Sequence, residues 1–464
     1  MELYKGYEAT IGLEIHVELK TKTKMFCACR NAFGQEPNTL CCPVCMGYPG
    51  ALPTLNQKAV EYAVMAGLAL NGKVNRISEM ARKNYFYPDL PKGYQITQGK
   101  YPIVENGYLD IEGKRIGITR IHIEEDAGKQ IHKENKSFLD FNRCGVPLIE
   151  IVTEPDLSSA KDAKEFLKKL RTVLLYTGIS DCKMNEGSMR CDVNLSVRKT
   201  GQALGVRTEM KNINSFSFVE KAIEYEYRRQ VDLLENGGRV TQETRRFDEA
   251  SGKTYSMRNK ENAADYRYFP EPDLPPIVVD MQTLEKIRSA LPTMPDERIS
   301  FYEKTYGIAK SDGVRLSALR ENADLYEAAA KQCGYPVLLA RQMLTFSSDE
   351  PILLNPLQLA RIADMTGQGR INSSTAKTLL SLCENSDIDP LEYAKEHDLF
   401  QICDREQLRQ MLHRAAEADP KSTADFKNGK AAAGKALIGK VMAESRGRAD
   451  AKILQELLQE LKNI

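Results

Sequence analysis

Apolar and polar residues alternate almost without interruption between Tyr7 and Lys20. Side chains at every second position of a strand point to the same side, so the pattern predicts a β-strand with one buried face. The side chains of that buried face are Ile11, Leu13, Ile15, Val17 and Leu19. The opposite face presents Glu14, His16 and Glu18 in a row, which is typical either of a binding surface or of a plain solvated face.

Four further segments have strand-like patterns that contain carboxylates, namely 121–126, 148–152, 191–195 and 207–211. Glu150 is the most informative residue, because its surroundings are apolar and a buried carboxylate needs a partner or a cation. If these strands share one sheet, their carboxylates and His16 converge into a site suited to Mg²⁺. With nearby Lys or Arg, such a site suits phosphoryl transfer from ATP.

Segment 159–178 has the apolar spacing of an amphipathic helix. Ser159 and Asp162 resemble a capping box at its start, and Gly178 suits its end. The apolar stripe consists of Phe166, Leu167, Leu170, Val173 and Leu174. We expect this helix to have a packing role.

The spacing of apolar residues changes from strand-like to helical along the chain. Four prolines between Tyr268 and Pro276 predict a rigid extended connection. Beyond Pro295 the alternation gives way to helical spacing. We therefore predict an α+β fold with an N-terminal antiparallel-sheet-containing domain (1–292), an all-α helical domain (293–398) and an α-helical tail domain (399–464). The tail ends in an amphipathic helix with Ile453, Leu454, Leu457, Leu458 and Leu461 on one face.

Composition supports a multidomain chain that does not span a membrane. The 464 residues are 42% apolar, enough for two or three cores. The formal net charge of +1 gives no overall attraction to nucleic acid or membrane, so RNA binding requires local patches such as residues 421–464, with nine Lys/Arg against five Asp/Glu. No apolar run approaches the length of a bilayer span and no secretory signal pattern is present, so we expect a cytoplasmic protein.

Five of the eleven cysteines fall between residues 27 and 45. Cys27 and Cys29 form one close pair and Cys42 and Cys45 a second, the spacing by which four thiolates surround a tetrahedral Zn²⁺. Four thiolates leave no open position for water, so such a Zn²⁺ would be structural. Ordinary buried thiols are the alternative interpretation, and Cys41 is an alternative ligand to Cys42.

Cations and aromatic rings alternate between Arg82 and Tyr94. This stretch contains Lys83, Tyr85 and Lys92, and it is suited to hold a polar ligand or to stack a base. Structural packing of the aromatic rings explains the pattern equally well.

Several long strings resemble the B subunit of the aspartyl/glutamyl-tRNA(Asn/Gln) amidotransferases, over nearly the whole chain. The segments that carry the resemblance are 11–19, 37–39, 42–45, 82–89, 124–129, 147–152 and 265–273. The family implies a cradle domain, a helical domain and a tail domain that holds tRNA.

The resemblance also implies a reaction. ATP phosphorylates the side-chain carboxylate of Glu-tRNA(Gln), Asp-tRNA(Asn) or both, and ammonia then forms the amide, so the enzyme is a carbon–nitrogen ligase with glutamine as the amido-nitrogen donor. The chain lacks an amidase-type segment with a Ser-Lys pair, so a partner must supply ammonia. The family implies an amidase A subunit and a small C subunit in a heterotrimer.

Site residues follow from the same resemblance. It assigns Mg²⁺ to Glu14, His16, Glu125 and Glu150, with Glu124 adjacent. Lys83, Lys92 and Tyr85 match positions near the mouth of an ammonia passage, where Glu125 also contributes. Three acidic residues match motif segments of the site: Glu186, Asp192 and Glu209. The zinc ligands of the family correspond to Cys27, Cys29, Cys42 and Cys45.

A noncatalytic, zinc-stabilised tRNA-binding scaffold is the competing hypothesis. In that case the acidic strands would be ordinary solvated faces. An enzyme acting on free amino acids is less attractive, because the helical and locally basic C-terminal third would then have no role.

Overall fold

The computed structural model describes residues 3–259, 265–346 and 350–462. The chain forms two compact units, Met1–Met294 and Pro295–Ile464. The first unit carries all of the strands found in the described residues, and the second unit carries eleven of the helices. The α+β fold class predicted from the sequence is therefore confirmed.

Within the described residues, three strands have 11 or 12 residues, and the other strands have eight or fewer. In chain order, the strands are β1 (Tyr7–Glu18), β2 (Lys73–Val74), β3 (Ile77–Ser78), β4 (Ala81–Asn84), β5 (Tyr94–Thr97), β6 (Val104–Ile111), β7 (Lys114–Glu125), β8 (Lys129–Lys133), β9 (Lys136–Asp140), β10 (Pro147–Thr153), β11 (Met189–Lys199), β12 (Thr208–Lys211), β13 (Glu243–Asp248), β14 (Lys253–Asn259), β15 (Phe269–Pro270) and β16 (Ile277–Val278).

Nine strands form one sheet in the order β14-β13-β12-β11-β1-β10-β7-β6-β2. All neighbours in it are antiparallel except β12 and β13, which are parallel. The predicted strand at residues 7–20 is β1, near the middle of the sheet. The four other predicted acidic segments lie on β7, β10, β11 and β12, so all five share one sheet as predicted.

The two faces of this sheet differ in character. The apolar side chains of β1, from Ile11 to Val17, are at most 1% exposed and belong to the main apolar core. The other face of β1 is only partly buried and carries Glu14, His16 and Glu18. A sheet covered on one face leaves the other open for ligands, which is where the candidate site lies.

Four helices belong to the first unit: α1 (Gln57–Ala69), α2 (Ala160–Thr177), α3 (Phe216–Glu235) and α4 (Met281–Ser289). Helix α2 is the one predicted from the sequence. The Ser159 hydroxyl accepts a hydrogen bond from the Asp162 N–H, and Gly178 ends the helix at a φ of 70°. The five residues of the predicted apolar stripe are all buried, so the predicted packing role is confirmed.

Small sheets flank the large one. Strands β15, β4 and β5 form one, β16 pairs with β3, and β8 pairs with β9. The proline-rich segment 268–276 contributes only β15, a two-residue strand at the edge of its sheet. Proline cannot donate to a neighbouring strand, which explains the edge position.

The second unit contains α5 (Pro295–Tyr306), α6 (Lys310–Leu316), α7 (Arg320–Ala330), α8 (Pro336–Phe346), α9 (Pro356–Gly367), α10 (Ser373–Cys383), α11 (Pro390–Glu396), α12 (Arg405–Glu417), α13 (Pro420–Lys427), α14 (Ala431–Glu444) and α15 (Ala451–Lys462). Its apolar side chains form two separate clusters, one spanning Tyr302 to Ala394 and one spanning Leu408 to Leu461. The predicted amphipathic helix of the tail is α15. The finer domain boundaries after residues 292 and 398 stay predictions.

Within the described part of the chain, no helix is both long and apolar enough to cross a membrane.

Candidate functional site

Strand register brings His16, Glu150 and Glu124 together on the open face of the sheet. His16 on β1 lies opposite Glu150 on β10, and Glu150 lies opposite His122 on β7. Glu124 follows His122 by two residues, so both point to the same face as Glu150. The cluster therefore draws on three adjacent strands that are distant in sequence.

The four side chains are in close contact. His16 Nε2 lies 3.2 Å from Glu124 Oε1 and 3.5 Å from Glu150 Oε2. His122 Nε2 lies 3.0 Å from Glu150 Oε2. The Glu124 side chain is 4% exposed and that of Glu150 12%. Two carboxylates this buried are costly unless a positive charge accompanies them.

The pKa shifts of these side chains also arise from their burial and their mutual contacts. Burial lowers the pKa of His16, but hydrogen bonds with Glu124 and Glu150 outweigh it and raise the value to about 10. Burial raises the pKa of Glu124 and Glu150, and the two histidines more than reverse this, so both carboxyls have pKa values below their ordinary range. These carboxylates are ionised at neutral pH, as a metal site requires.

One ligand atom from each of His16, Glu124 and Glu150 can be chosen so that the three lie within 4.8 Å of one another. One imidazole and two carboxylates fit a divalent cation that keeps open positions for substrate oxygens. His122 Nδ1, by contrast, is buried without a hydrogen-bond partner in the described structure.

Glu14 belongs to a neighbouring cluster with Asp192 and Glu209, whose ligand atoms also lie within 4.8 Å of one another. Here Lys211 already supplies a positive charge, in a very short ion pair with Asp192 and at 3.0 Å from Glu209. The Asn194 side-chain amide donates to Glu14 Oε1 at 2.9 Å. The family resemblance matched Glu14 to the Mg²⁺ site and Asp192 and Glu209 to motif segments. The structure places all three on the same face of the sheet as His16.

Glu125 lies on the other side of β7 from Glu124, because consecutive residues of a strand point to opposite faces. Its Oε1 accepts hydrogen bonds from Lys92 Nζ at 2.5 Å and from the Ile96 N–H at 2.9 Å. Both Glu125 and Lys92 line a cavity of about 260 Å³. The four residues assigned to Mg²⁺ therefore do not meet at one point: Glu125 faces this cavity and Glu124 takes the place beside His16.

Lys83 and Tyr85 are placed close to the acidic cluster by β4 and the loop after it. Lys83 Nζ lies 5.0 Å from the centre of the Tyr266 ring. Burial lowers the pKa of Lys83, but Tyr268, Glu124 and Glu150 raise it above its ordinary value. Burial, and then the Glu124 charge, raise the pKa of Tyr85.

Sequence reasoning missed several neighbours of the site. His122 was detectable, because it alternates with Glu124 on one strand. Arg190 lies opposite His16 on β11 and donates to Asp126 at 2.8 Å. Burial, followed by the Asp126 charge, raises the pKa of Glu18 to about 7. No local pattern pointed to Arg190, whereas Asp126 is the last residue of the acidic segment 121–126.

Glu186 is not brought to either acidic cluster. It forms an ion pair with Lys183 Nζ at 2.9 Å, three residues away in the loop before β11.

The four predicted cysteines converge, with their sulfurs all within 4.8 Å of one another. Cys42 Sγ and Cys45 Sγ are 3.9 Å apart. Sulfurs bound to one Zn²⁺ by bonds of about 2.3 Å are about 3.8 Å apart in a tetrahedron. The four thiols therefore fit a tetrahedral metal ion, and the alternative ligand Cys41 instead contacts Asn142 Oδ1 at 3.8 Å.

Comparison with known proteins matches both units to described domains. Residues 9–285, which contain the acidic clusters and the cysteine cluster, match the GatB/GatE catalytic domain, and residues 339–461 match the GatB domain. The chain is 50% identical to the B subunit of the aspartyl/glutamyl-tRNA(Asn/Gln) amidotransferase of Caldicellulosiruptor saccharolyticus, with 98% of each chain covered. It is 48% identical to the protein of the same name from Carboxydothermus hydrogenoformans (98% of this chain, 99% of the relative) and 46% identical to that of Agathobacter rectalis (98% and 100%).

The first unit is thus a GatB/GatE catalytic domain. The chain belongs to the family of aspartyl/glutamyl-tRNA(Asn/Gln) amidotransferase B subunits. This confirms the family resemblance, the transamidation role and the ligase class predicted from the sequence.

Proposed function

We propose that the first unit phosphorylates the side-chain carboxylate of Glu-tRNA(Gln), Asp-tRNA(Asn) or both, at the expense of ATP, and that ammonia then converts the product to the amide. The observation that carries the proposal is the cluster of His16, Glu124 and Glu150 on the open face of the sheet. The burial of its carboxylates speaks against the scaffold hypothesis, in which the acidic strands would be solvated. The names of the relatives support the choice of tRNA substrates.

The order of steps follows from carboxylate chemistry. A carboxylate is a poor acyl donor, because its charge repels nucleophiles and its oxygen leaves badly. A carboxylate oxygen therefore attacks the γ-phosphorus of ATP, the bond from that phosphorus to the bridging oxygen breaks, and ADP leaves. Ammonia nitrogen then attacks the carbonyl carbon, the bond to the phosphate oxygen breaks, and loss of a proton leaves the amide.

His16, Glu124 and Glu150 would hold Mg²⁺, with the Glu14 cluster as a neighbouring acidic position. When bound, Mg²⁺ neutralises charge on phosphate oxygens. His16 must give up its proton before its imidazole binds the metal ion. His122 holds the Glu150 carboxylate in position. Lys83 lies near enough to Glu124 and Glu150 to offset negative charge on the transferred phosphoryl group.

The Lys92–Glu125 pair would receive ammonia on the opposite side of β7. Glu125 is 1% exposed, so bulk water has little access to its carboxylate. Exclusion of water protects an acyl phosphate from hydrolysis. Tyr85 lies close enough to both Glu124 and Glu125 for their charges to affect its pKa, which supports a position between the two sites.

The remaining parts of the proposal concern the zinc and the partners. Cys27, Cys29, Cys42 and Cys45 would hold a structural Zn²⁺. An amidase A subunit would supply ammonia from glutamine and a small C subunit would complete a heterotrimer, which the naming of the relatives as B subunits supports. The tail domain would bind the tRNA, and the reaction would take place in the cytoplasm with the rest of translation.

The decisive experiment measures transfer of the labelled γ-phosphate of ATP to Glu-tRNA(Gln) by the chain assembled with its partner subunits. Glutamine is omitted so that the acyl phosphate is not consumed, and Mg²⁺ is either present or chelated. We expect labelling, or ATP turnover that requires the charged tRNA, only with Mg²⁺. A complex that binds the tRNA and gives neither signal would contradict the proposal and favour the scaffold hypothesis.

A further inference from the structure

Lys24 is a fully buried lysine beside the four-cysteine cluster. Its relative exposure is 0%, and its Nζ lies 3.7 Å from Cys45 Sγ and 3.3 Å from the Phe141 carbonyl oxygen. Among residues 3–259, 265–346 and 350–462, no carboxylate forms an ion pair with this ammonium. A buried ammonium is costly unless a negative charge accompanies it. The group at hydrogen-bonding distance that is able to carry a full negative charge, as a thiolate, is the sulfur of Cys45.

The charge of a four-thiolate site explains this arrangement. Four thiolates and one divalent cation carry a net charge of −2. Of the four cysteines, Cys45 is the buried one at 3% exposure, so solvent compensates the charge on its sulfur poorly. An ammonium donating an N–H to one sulfur offsets part of the charge. Residues that hydrogen-bond to metal ligands contribute to metal affinity in this way.

Lys24, Cys45 and Glu125 all lie close to Gly145, a residue that lines the Glu125 cavity. A Cβ added to Gly145 would lie 3.6 Å from Cys45 Cβ, 3.6 Å from Lys24 Cδ and 3.9 Å from Glu125 Oε2. The Met25 N–H donates to the Gly145 carbonyl at 2.7 Å, which fixes the Lys24 backbone to the same point. Cys45 itself lines the cavity together with Glu125.

We propose that Lys24 is the counter-cation of the four-cysteine site and that its charge stabilises the metal-bound form of that site. The proposal rests on the metal site of the proposed function. It predicts that removing the charge of Lys24 weakens metal retention.

The experiment compares Lys24→Met, which keeps the length and removes the charge, with Lys24→Arg, which keeps the charge. Lys22→Met is the matched control, since Lys22 is exposed on the same segment. Zn²⁺ affinity of the full-length chain is measured by competition with a chromophoric chelator, and the Co²⁺ absorption spectrum reports thiolate ligation. We expect about tenfold or greater weakening in Lys24→Met and a smaller loss in Lys24→Arg. Lys22→Met should match the unsubstituted chain.

Two results would overturn the role of Lys24: unchanged Zn²⁺ affinity in folded Lys24→Met, or an equal loss in Lys24→Met and Lys24→Arg, which would indicate packing instead of charge. If Lys24→Met does not fold, Lys24→Gln takes its place in the same comparison with Lys24→Arg. An unsubstituted chain that binds neither Zn²⁺ nor Co²⁺ would instead refute the metal site itself, and the Lys24 proposal with it.

Discussion

The two candidate metal centres of the first unit are built in opposite ways. The four cysteines come from one short stretch, residues 27–45, and their thiolates would close a tetrahedron. His16, Glu124 and Glu150 come from three strands and are surrounded by other charged groups on the open face of the sheet. The first arrangement saturates a metal ion, whereas the second leaves positions free for phosphate oxygens.

This difference predicts a structural role for the cysteine centre and a role in the reaction for the centre of His16, Glu124 and Glu150. A closed centre contributes to the stability of its loop, so its loss should affect unfolding more than the reaction. An open centre contributes to the transition state, so its loss should affect the reaction more than unfolding. Substitutions in each centre test this separation.

The largest effect is expected for Glu150→Gln, which keeps the size of a carboxylate ligand and removes its charge. Phosphoryl transfer to charged tRNA should fall by about 10³-fold, because a metal ligand contributes several kcal/mol to the transition state. Affinity for the tRNA should stay within about twofold, since phosphate contacts elsewhere supply it. Labelled-phosphate transfer and tRNA titration measure the two quantities.

The matched control for this variant is Glu154→Gln, which changes an exposed carboxylate one residue beyond β10. It should keep normal activity. Normal turnover in folded Glu150→Gln would contradict the assignment of the open centre.

A smaller loss of phosphoryl transfer, about 10- to 100-fold, is expected for Glu14→Gln. Glu14 lies in the neighbouring cluster, whose charge Lys211 already balances in part. Glu8→Gln is the control, because Glu8 is on the same face of β1 but pairs with Arg198. A loss as large as that of Glu150→Gln would place Glu14 in the main centre, as the family resemblance implied.

Loss of the closed cysteine centre should affect stability more than phosphoryl transfer. Cys42→Ser should lose Zn²⁺ and lower the Tm by on the order of 5 °C, since a structural metal stabilises the folded state. Phosphoryl transfer by the folded variant should remain within about tenfold of normal at low temperature. Cys403→Ser, at an exposed cysteine, should change neither quantity. Complete loss of transfer in folded Cys42→Ser would show that the two centres are not separate in function.

The last expected effect is on the pH dependence of stability. The pKa of His16 rises from 6.5 to about 10 in the folded chain without metal. This stabilisation is present below pH 6.5 and is lost as the pH rises towards 10. Denaturant unfolding between pH 6.5 and 9.5, in buffer without Mg²⁺, should show this decline, and His16→Gln should reduce it. Saturating Mg²⁺ should also reduce it, because the bound imidazole is already neutral. An identical decline in His16→Gln would contradict the assignment of the decline to this imidazole.

Much of the fold was predictable because it depends on local patterns. The alternation of β1, the capped helix α2 and the apolar face of α15 each follow from residues close in sequence, and the structure confirms them. The cysteine cluster was predictable for the same reason. Its four ligands are close enough in sequence for spacing alone to indicate a tetrahedron.

The open centre was only partly predictable. The sequence indicated that several acidic strands would share a face, but it could not choose between Glu124 and Glu125. A shift of one residue in strand register exchanges the two faces, and only pairing across β10 and β7 fixes which carboxylate meets His16. Charged partners of buried groups also come from distant segments, as with His16 on β1 beside Glu124 on β7.

The sequence by itself therefore determined the fold class, the family and the local thiol site, since periodicity, motifs and close spacing are written along the chain. The tertiary structure alone decided which carboxylates join His16, which face Glu125 occupies and which cations balance them. The physical reason is that charges interact through space, over distances set by strand pairing and burial, and not by separation along the sequence.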